Sequence, residues 1–129
     1  MKKGKSFTLI ELILVISIII ILAVIAIPNF YKTKQRVIEK EGIVNIKLIA
    51  AAERIYRMEQ VDYVGCTDAS GCNGLLKLML NGTNWAYNVT TSGSPGSKTA
   101  NITATSTTGC TYTLDSSNFD ALPTPTGCI

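Results

Sequence analysis

One unbroken apolar stretch constrains this chain more than any other feature of its sequence. Residues 12–27 contain one polar residue, Ser17, and no charge, and the uncharged run extends from Leu12 to Tyr31. As an α-helix, this run would be roughly 30 Å long, about the thickness of the hydrocarbon core of a membrane. Because it is apolar on every side, it cannot form the amphipathic surface helix of a soluble domain. The run predicts a membrane anchor, the core of a signal peptide, or a helix buried in an assembly.

The charges that precede the run predict its orientation. Lys2, Lys3 and Lys5 favour a cytoplasmic N-terminus and the export of everything after Tyr31. A cleaved signal peptide has a similar layout, but its apolar region is usually shorter and is followed by a small-x-small cleavage site. No convincing site of that kind follows the run in this sequence. We therefore expect the apolar segment to stay attached to the exported part.

Composition argues against catalysis and against nucleic-acid binding. The chain has no histidine, the side chain most often used as a general base. Its net charge of +3 falls to zero once the three lysines of the first five residues are set aside. A neutral body without a basic run gives little electrostatic reason to bind nucleic acid. We expect no enzymatic activity, no cofactor, no metal and no small-molecule substrate.

The residues at the start of the run carry a resemblance. Glu11 places a carboxylate just inside the apolar stretch, where it is costly unless it is paired or solvated at headgroup depth. Phe7-Thr8-Leu9-Ile10-Glu11 follows a lysine-rich leader and precedes an apolar run that ends at Ile27-Pro28. This pattern resembles the class III signal of type IV pilins and pseudopilins. The motif covers about residues 1–31, a quarter of the chain.

The resemblance implies how the N-terminus is processed. Prepilin peptidase would remove residues 1–6 by cutting between Ser6 and Phe7, and would then N-methylate Phe7. The family usually has glycine immediately before the cut, whereas this sequence has Ser6. Glu11 would then lie four residues from a new α-amine, and in a bundle of such helices it could pair with the amine of a neighbouring subunit. Such a pair would penalise subunits that dock at the wrong height.

A second helical pattern follows the apolar run. We expect one helix of roughly 50 residues, bent near Pro28, because proline removes one backbone hydrogen bond. Its first half, 7–30, would be the membrane or filament-core segment, and its second half, 31–60, would be amphipathic. The spacing predicts that the apolar stripe of the second half packs against a sheet. The residues of that stripe are Val37, Val44, Leu48, Ala51, Ala52 and Ile55.

The remaining residues, 61–129, predict a small exported β domain rich in Gly, Ser, Thr and Asn. A short helix is expected over 75–80, followed by three segments in which apolar residues alternate, 85–90, 101–105 and 111–114. The alternation predicts an antiparallel meander with one buried face. A long helix laid across such a sheet is also what the resemblance implies. The expected fold is therefore α+β and type IV pilin-like. The residues of the buried face are Trp85, Tyr87, Val89, Ile102, Ala104, Tyr112 and Leu114.

The four cysteines, Cys66, Cys72, Cys110 and Cys128, all lie in the exported part, where an even count favours disulfides. Of the three possible connectivities, sequence proximity favours Cys66–Cys72 and Cys110–Cys128. A zinc site is the rival interpretation, but the cysteines do not form two CxxC pairs. By resemblance, 114–127 is the loop that a C-terminal disulfide closes in pilins.

The resemblance implies a structural function. The expected role is that of a type IV pilus subunit, held in the inner membrane with its N-terminus inside and then assembled into an extracellular filament for adhesion, motility or DNA uptake. Its partners would be copies of itself, prepilin peptidase and an inner-membrane assembly platform. Two alternatives stay open at this point: a pseudopilin of a type II secretion system, and a single-pass anchored binding domain that does not polymerise.

Overall fold

The computed structural model describes residues 6–128, which form two α-helices and one four-stranded sheet. The chain divides into two compact units, one up to Val37 and one from Ile38 onward. Residues 1–5, most of the predicted leader, lie outside the described residues, as does Ile129. The elements are α1 (Leu9–Gln60), α2 (Ala69–Leu76), β1 (Trp85–Ser92), β2 (Thr99–Ser106), β3 (Thr111–Asp115) and β4 (Thr124–Thr126).

The prediction of one long helix is confirmed. α1 has 52 residues and continues through Pro28. Since proline has no N–H, the carbonyl of Val24 lacks its usual donor within the helix; the bend expected there stays a prediction. The helix ends where Val61 adopts a left-handed conformation, with φ at 73°. The Val61 N–H still donates to the Arg57 carbonyl at 2.8 Å, which closes the last turn.

The predicted meander is also confirmed, and it has a fourth strand. The sheet is antiparallel throughout, with the order β1-β2-β3-β4. Tyr87 pairs with Ala104, and Ala104 pairs with Tyr112 on its other side, so the buried residues of three strands share one face. All seven residues predicted for that face are buried. The short β4 adds the strand that the sequence pattern does not predict.

The predicted stripe of α1, in contrast, is wrong. Val44, Leu48, Ala51 and Ile55 are exposed, whereas the opposite side of the helix is buried in the domain. The pattern misleads because the buried side contains a glycine, an alanine and a carboxylate, which weaken its apolar signal. The buried residues of α1 are Gly42, Ile46, Ile49, Ala50 and Glu53.

A close contact between Gly42 and Trp85 positions the sheet on this buried side. The indole lies so near the helix that a Cβ on Gly42 would be 2.5 Å from the ring atom Cζ2. The indole Nε1 donates to the Ile38 carbonyl at 2.8 Å, and the Tyr112 ring packs 5.6 Å from the Trp85 ring between centroids. Only glycine allows a flat indole this close to a helix, so residue 42 is fixed by packing rather than by helix propensity.

The predicted short helix is misplaced. α2 covers Ala69–Leu76, earlier than the expected segment 75–80. It begins at Asp68, whose side chain accepts a hydrogen bond from the Gly71 N–H at 2.6 Å, and it ends at Lys77 in the left-handed conformation. The N-cap aspartate and the following small residues determine where this helix begins, and the apolar run of leucines that follows does not continue it.

Glu53 is the one charged residue in the described core of the domain. Its Oε2 accepts a hydrogen bond from the Val64 N–H at 3.0 Å, which ties the segment after α1 to the helix. Its Oε1 is buried without a hydrogen-bond partner. Burial raises the pKa of Glu53 to about 7, although the hydrogen bond from the Val64 N–H by itself lowers that pKa. The domain therefore contains a carboxyl group that titrates near neutral pH.

We predict that Gly42→Ala destabilises the domain by about 1–2 kcal/mol. The added Cβ would meet the indole of Trp85 at 2.5 Å, a clash that outweighs the roughly 1 kcal/mol gained in helix propensity. Chemical denaturation of the full chain in detergent measures the difference. Gly74→Ala in α2 is the matched control, because its Cβ would meet nothing within 4 Å. Equal stability of the two variants would contradict the prediction.

We predict that Glu53→Gln removes a pH-dependent part of the stability. Because the folded pKa of about 7 exceeds the ordinary 4.5, the stability that protonated Glu53 contributes is fully present below pH 4.5 and is lost as the pH rises through 7. Relative to Glu53→Gln, the wild type should lose about 2–3 kcal/mol of unfolding free energy between pH 4.5 and 8. Denaturation at several pH values tests this, with Glu59→Gln, at the exposed end of α1, as control. Parallel pH profiles of Glu53→Gln and the wild type would contradict it.

Candidate functional site

The start of α1 is a reciprocal cap formed by Thr8 and Glu11. The Thr8 hydroxyl accepts a hydrogen bond from the Glu11 N–H at 3.3 Å. In return, the Glu11 Oε2 accepts bonds from the Thr8 N–H at 3.2 Å and from the Thr8 hydroxyl at 3.0 Å. This is a capping box, in which two of the free N–H groups at a helix start are satisfied by side chains. The Glu11 carboxylate therefore already has partners within its own chain.

The residues predicted for processing lie just before this cap. Ser6 and Phe7 are exposed and precede the first helical residue, Leu9. The bond between Ser6 and Phe7 is thus in a non-helical segment that is accessible from outside. Because the helix begins two residues after Phe7, an α-amine at residue 7 would lie next to the first turn and its Glu11 carboxylate.

The segment that follows is apolar and open on all sides. Its side chains from Phe7 to Val37 are exposed, except for the partly exposed Ala23. Among the described residues, one helix, α1, is long and apolar enough to cross a membrane; its most apolar 18-residue window has a mean hydropathy of 3.3 and is 0% buried. So large an exposed apolar surface requires lipid or other protein around it. Pro28 also lies in this segment. The backbone carbonyl of the next residue, Asn29, accepts a hydrogen bond from the Thr33 hydroxyl at 2.9 Å.

The four cysteines form the two pairs that sequence proximity favours. The Cys66–Cys72 disulfide joins the segment before α2 to α2 itself, with 5.2 Å between the Cα atoms. Cys66 also exchanges backbone hydrogen bonds with Val89 of β1, so this disulfide fixes α2 beside the sheet. The Cys110–Cys128 disulfide joins the start of β3 to the end of the described chain, with 4.4 Å between the Cα atoms.

The loop that the second disulfide closes is attached to α1 by two cations. Lys47 Nζ donates to the carbonyls of Phe119 and Ala121, the first at 2.9 Å. Arg54 donates to Asp120 at 3.0 Å, and this bond lowers the pKa of the exposed Asp120 carboxyl. Asp115 accepts from the Ser117 N–H at 2.8 Å, which lowers the pKa of its carboxyl. Each of the two aspartates therefore has a protein partner of its own.

The structure brings some of the predicted residues together and leaves others apart. Ser6, Phe7 and Glu11 are neighbours at the start of α1, and each disulfide brings two cysteines into contact. Pro28 lies farther along α1. Sequence reasoning missed Thr8 as the partner of Glu11, although a Thr-x-x-Glu pattern before an apolar run is a known capping signal. It also missed Lys47 and Arg54, for which the sequence has no local signal because their partners lie far along the chain.

Comparison with known proteins supports the resemblance. Over 61 residues the chain is 43% identical to the type IV major pilin protein PilA of Myxococcus xanthus (strain DK1622), a match that covers 47% of this chain. The chain spans only 28% of the length of that relative. No family model matches the chain, and no solved structure matches it significantly. Together with the long apolar helix and the antiparallel sheet, the match confirms the predicted resemblance to type IV pilins and the pilin-like α+β fold.

Proposed function

We propose that this chain is a structural subunit of a type IV pilus, which is anchored in the inner membrane and then polymerises into a helical filament. The observation that carries the proposal is the open apolar segment of α1, headed by an acidic residue and followed by a disulfide-bonded domain. A segment that is exposed on every side can be buried either in lipid or among copies of itself. The 43% identity to a type IV major pilin favours the second state as the functional one.

In this proposal, the N-terminus is cytoplasmic and prepilin peptidase acts there. The peptidase cuts between Ser6 and Phe7 and methylates the new amine of Phe7. The exposed, non-helical position of both residues supports access by the peptidase. The domain from residue 61 onward lies on the exported side, where oxidising conditions favour both disulfides. An assembly platform in the inner membrane then transfers the subunit into the filament.

Glu11 has two possible partners in this proposal. In the single chain it caps its own helix through Thr8. Among packed apolar helices, a carboxylate that faces the Phe7 amine of a neighbour would lose most of its desolvation penalty, whereas an unpaired one would cost several kcal/mol. The intermolecular pair therefore selects the position along the filament axis at which a subunit docks. Pro28 contributes by leaving the Val24 carbonyl without a helical donor, which makes α1 easier to bend when it packs.

The first experiment is the mass and N-terminal chemistry of the protein in sheared surface filaments. We expect a chain that begins at Phe7 and has one added methyl group. Ser6→Gly, which restores the residue common in the family, should be processed at least as completely as the wild type. A chain that keeps Met1 and stays in the membrane fraction would contradict the filament role and leave α1 as an anchor.

A pair of variants separates the two roles of Glu11. Glu11→Gln keeps the capping bonds, since glutamine serves in a capping box, but it removes the charge. Thr8→Ala removes the cap and keeps the charge. We expect Glu11→Gln to reduce filament recovery at least roughly tenfold, because a packed amine would be left unpaired. Thr8→Ala should reduce it much less.

Filament yield is measured against the amount of subunit in the membrane, so that a poorly inserted variant is recognised. If Thr8→Ala lost filaments and Glu11→Gln did not, Glu11 would be only a helix cap.

A further inference from the structure

The chain contains three copies of the pattern Asn-x-Thr, in which the asparagine side chain is the acceptor of N-linked sugars in exported proteins. They begin at Asn81, Asn88 and Asn101. Chance matches to this pattern are common in a segment rich in asparagine and threonine, so the sequence alone does not separate an acceptor from a chance match. The local structure separates them, because a sugar donor has to approach the amide nitrogen of the asparagine.

Two of the three patterns lie inside the sheet and are poor acceptors. Asn88 is in β1 and Asn101 is in β2. The two patterns face each other across the ladder, since Asn88 pairs with Thr103 and Asn101 pairs with Thr90. Each threonine hydroxyl donates at 3.4 Å to the backbone carbonyl of the asparagine on the other strand. A transferase would have to pull one of these strands out of the ladder before it could bind the pattern.

The third pattern, Asn81-Gly82-Thr83, lies between α2 and β1, and all three of its residues are exposed. The Asn81 Oδ1 accepts a hydrogen bond from the Thr83 N–H at 3.0 Å and another from the Thr83 hydroxyl at 2.6 Å. Within residues 6–128, the Asn81 Nδ2 donates no hydrogen bond to a protein group. Thr83 therefore holds the amide oxygen and leaves the amide nitrogen available.

The two hydrogen bonds at Oδ1 favour a reaction at Nδ2. An amide nitrogen is a poor nucleophile because its lone pair is delocalised toward the carbonyl oxygen. It becomes reactive as it gives up a proton and negative charge collects on that oxygen. Donors that point at an oxygen where charge develops lower the barrier to such a step. Thr83 supplies two donors of this kind to Asn81, whereas the threonines of the other two patterns point their hydroxyls at backbone carbonyls.

Contacts on both sides of the acceptor hold this turn in place. Leu80 is buried, and the Asn73 side chain accepts a hydrogen bond from its N–H at 2.6 Å and donates one to its carbonyl at 3.0 Å. Gly82 lies against the first residue of α2, since a Cβ on Gly82 would be 3.2 Å from the Cβ of Ala69. Because these anchors do not involve the amide nitrogen of Asn81, a sugar attached there would leave the core unchanged.

We infer that Asn81 is an N-glycosylation site, at which a transferase on the exported side of the membrane attaches an oligosaccharide from a polyprenyl-pyrophosphate donor. The Asn81 Nδ2 forms a bond to C1 of the sugar, and the bond between C1 and the pyrophosphate oxygen breaks. Polyprenyl pyrophosphate leaves with the electron pair of that bond. Nδ2 passes one proton to a base of the transferase, and the product is a neutral secondary amide.

The inference rests on the export of the domain, which is part of the proposed function, but it does not depend on polymerisation. It also gives the sugar a physical effect. Met79, two residues before Asn81, is an apolar side chain with 97% of its surface exposed. A bulky, hydrated oligosaccharide on Asn81 would shield this side chain from non-specific contacts.

Peptide mass mapping tests the site on the full chain, purified from the cells that make it naturally. Trypsin releases residues 78–98 as one peptide, which carries two of the three patterns. Fragmentation that keeps side-chain groups attached then separates Asn81 from Asn88. We expect a sugar on Asn81. A bare Asn81, its conversion to aspartate alone, or a sugar on Asn88 or Asn101 in its place would overturn the inference.

Substitutions at Thr83 test the role of its hydroxyl. Thr83→Ala should reduce the glycosylated fraction at least roughly tenfold, because one of the two donors to Oδ1 is lost. Thr83→Ser keeps the hydroxyl and should keep most of the sugar. Thr90→Ala makes the same change in the pattern of β1 and is the matched control, which should leave glycosylation unchanged. Full glycosylation of Thr83→Ala, or loss of the sugar in Thr90→Ala, would contradict the inference.

Failure of the proposed function is distinguishable from failure of the inference. The two disulfides report export of the domain, and the mass of the unreduced chain shows whether they have formed. A disulfide-bonded chain with a bare Asn81 overturns the inference alone. A glycosylated chain that never enters filaments supports the inference and contradicts the filament role. A chain with free thiols and no sugar contradicts both.

Discussion

The second half of α1 has to bury one side in a small domain and still present an apolar side to its surroundings. The domain reaches the helix through the contact of Trp85 with Gly42, where the lack of a side chain lets the indole lie against the backbone. The indole N–H also donates a hydrogen bond to the Ile38 carbonyl. This bond fixes the orientation of the ring as well as its distance from the helix. Because Trp85 begins β1, this one contact fixes where the sheet meets the helix, and the opposite side of the helix, with Val44 and Leu48, is left exposed.

The remainder of the domain is attached to the same helix by polar groups. Glu53 holds the segment after α1, and Lys47 and Arg54 hold the loop that precedes β4. The two disulfides close the segments that these side chains attach, one beside α2 and one at the end of the described chain. So small a domain has little apolar surface to bury, and covalent links and charged contacts supply what its core cannot.

The sequence predicts some elements well because their signals are local. Alternation over 85–90 or 111–114 is enough to assign a strand and the side of it that is buried, and both assignments are confirmed. The choice between the two sides of α1 was wrong because it depends on contact with a distant strand. The position of α2 was wrong because the cap at Asp68 and the left-handed Lys77 outweigh the run of leucines.

The sequence by itself determined that this chain has a membrane-length apolar helix, an acidic residue at its start, and a C-terminal part stabilised by disulfides. These follow from composition and from spacing along the chain, which need no knowledge of the fold. Only the tertiary structure decided which side of α1 the sheet covers, and that Glu11 is capped by Thr8. Both outcomes depend on which groups come within contact distance in three dimensions. A residue is equally hydrophobic on either side of a helix, so hydrophobicity alone does not determine which side is buried. The shape of the packing partner determines it, here a flat indole that lies against a glycine.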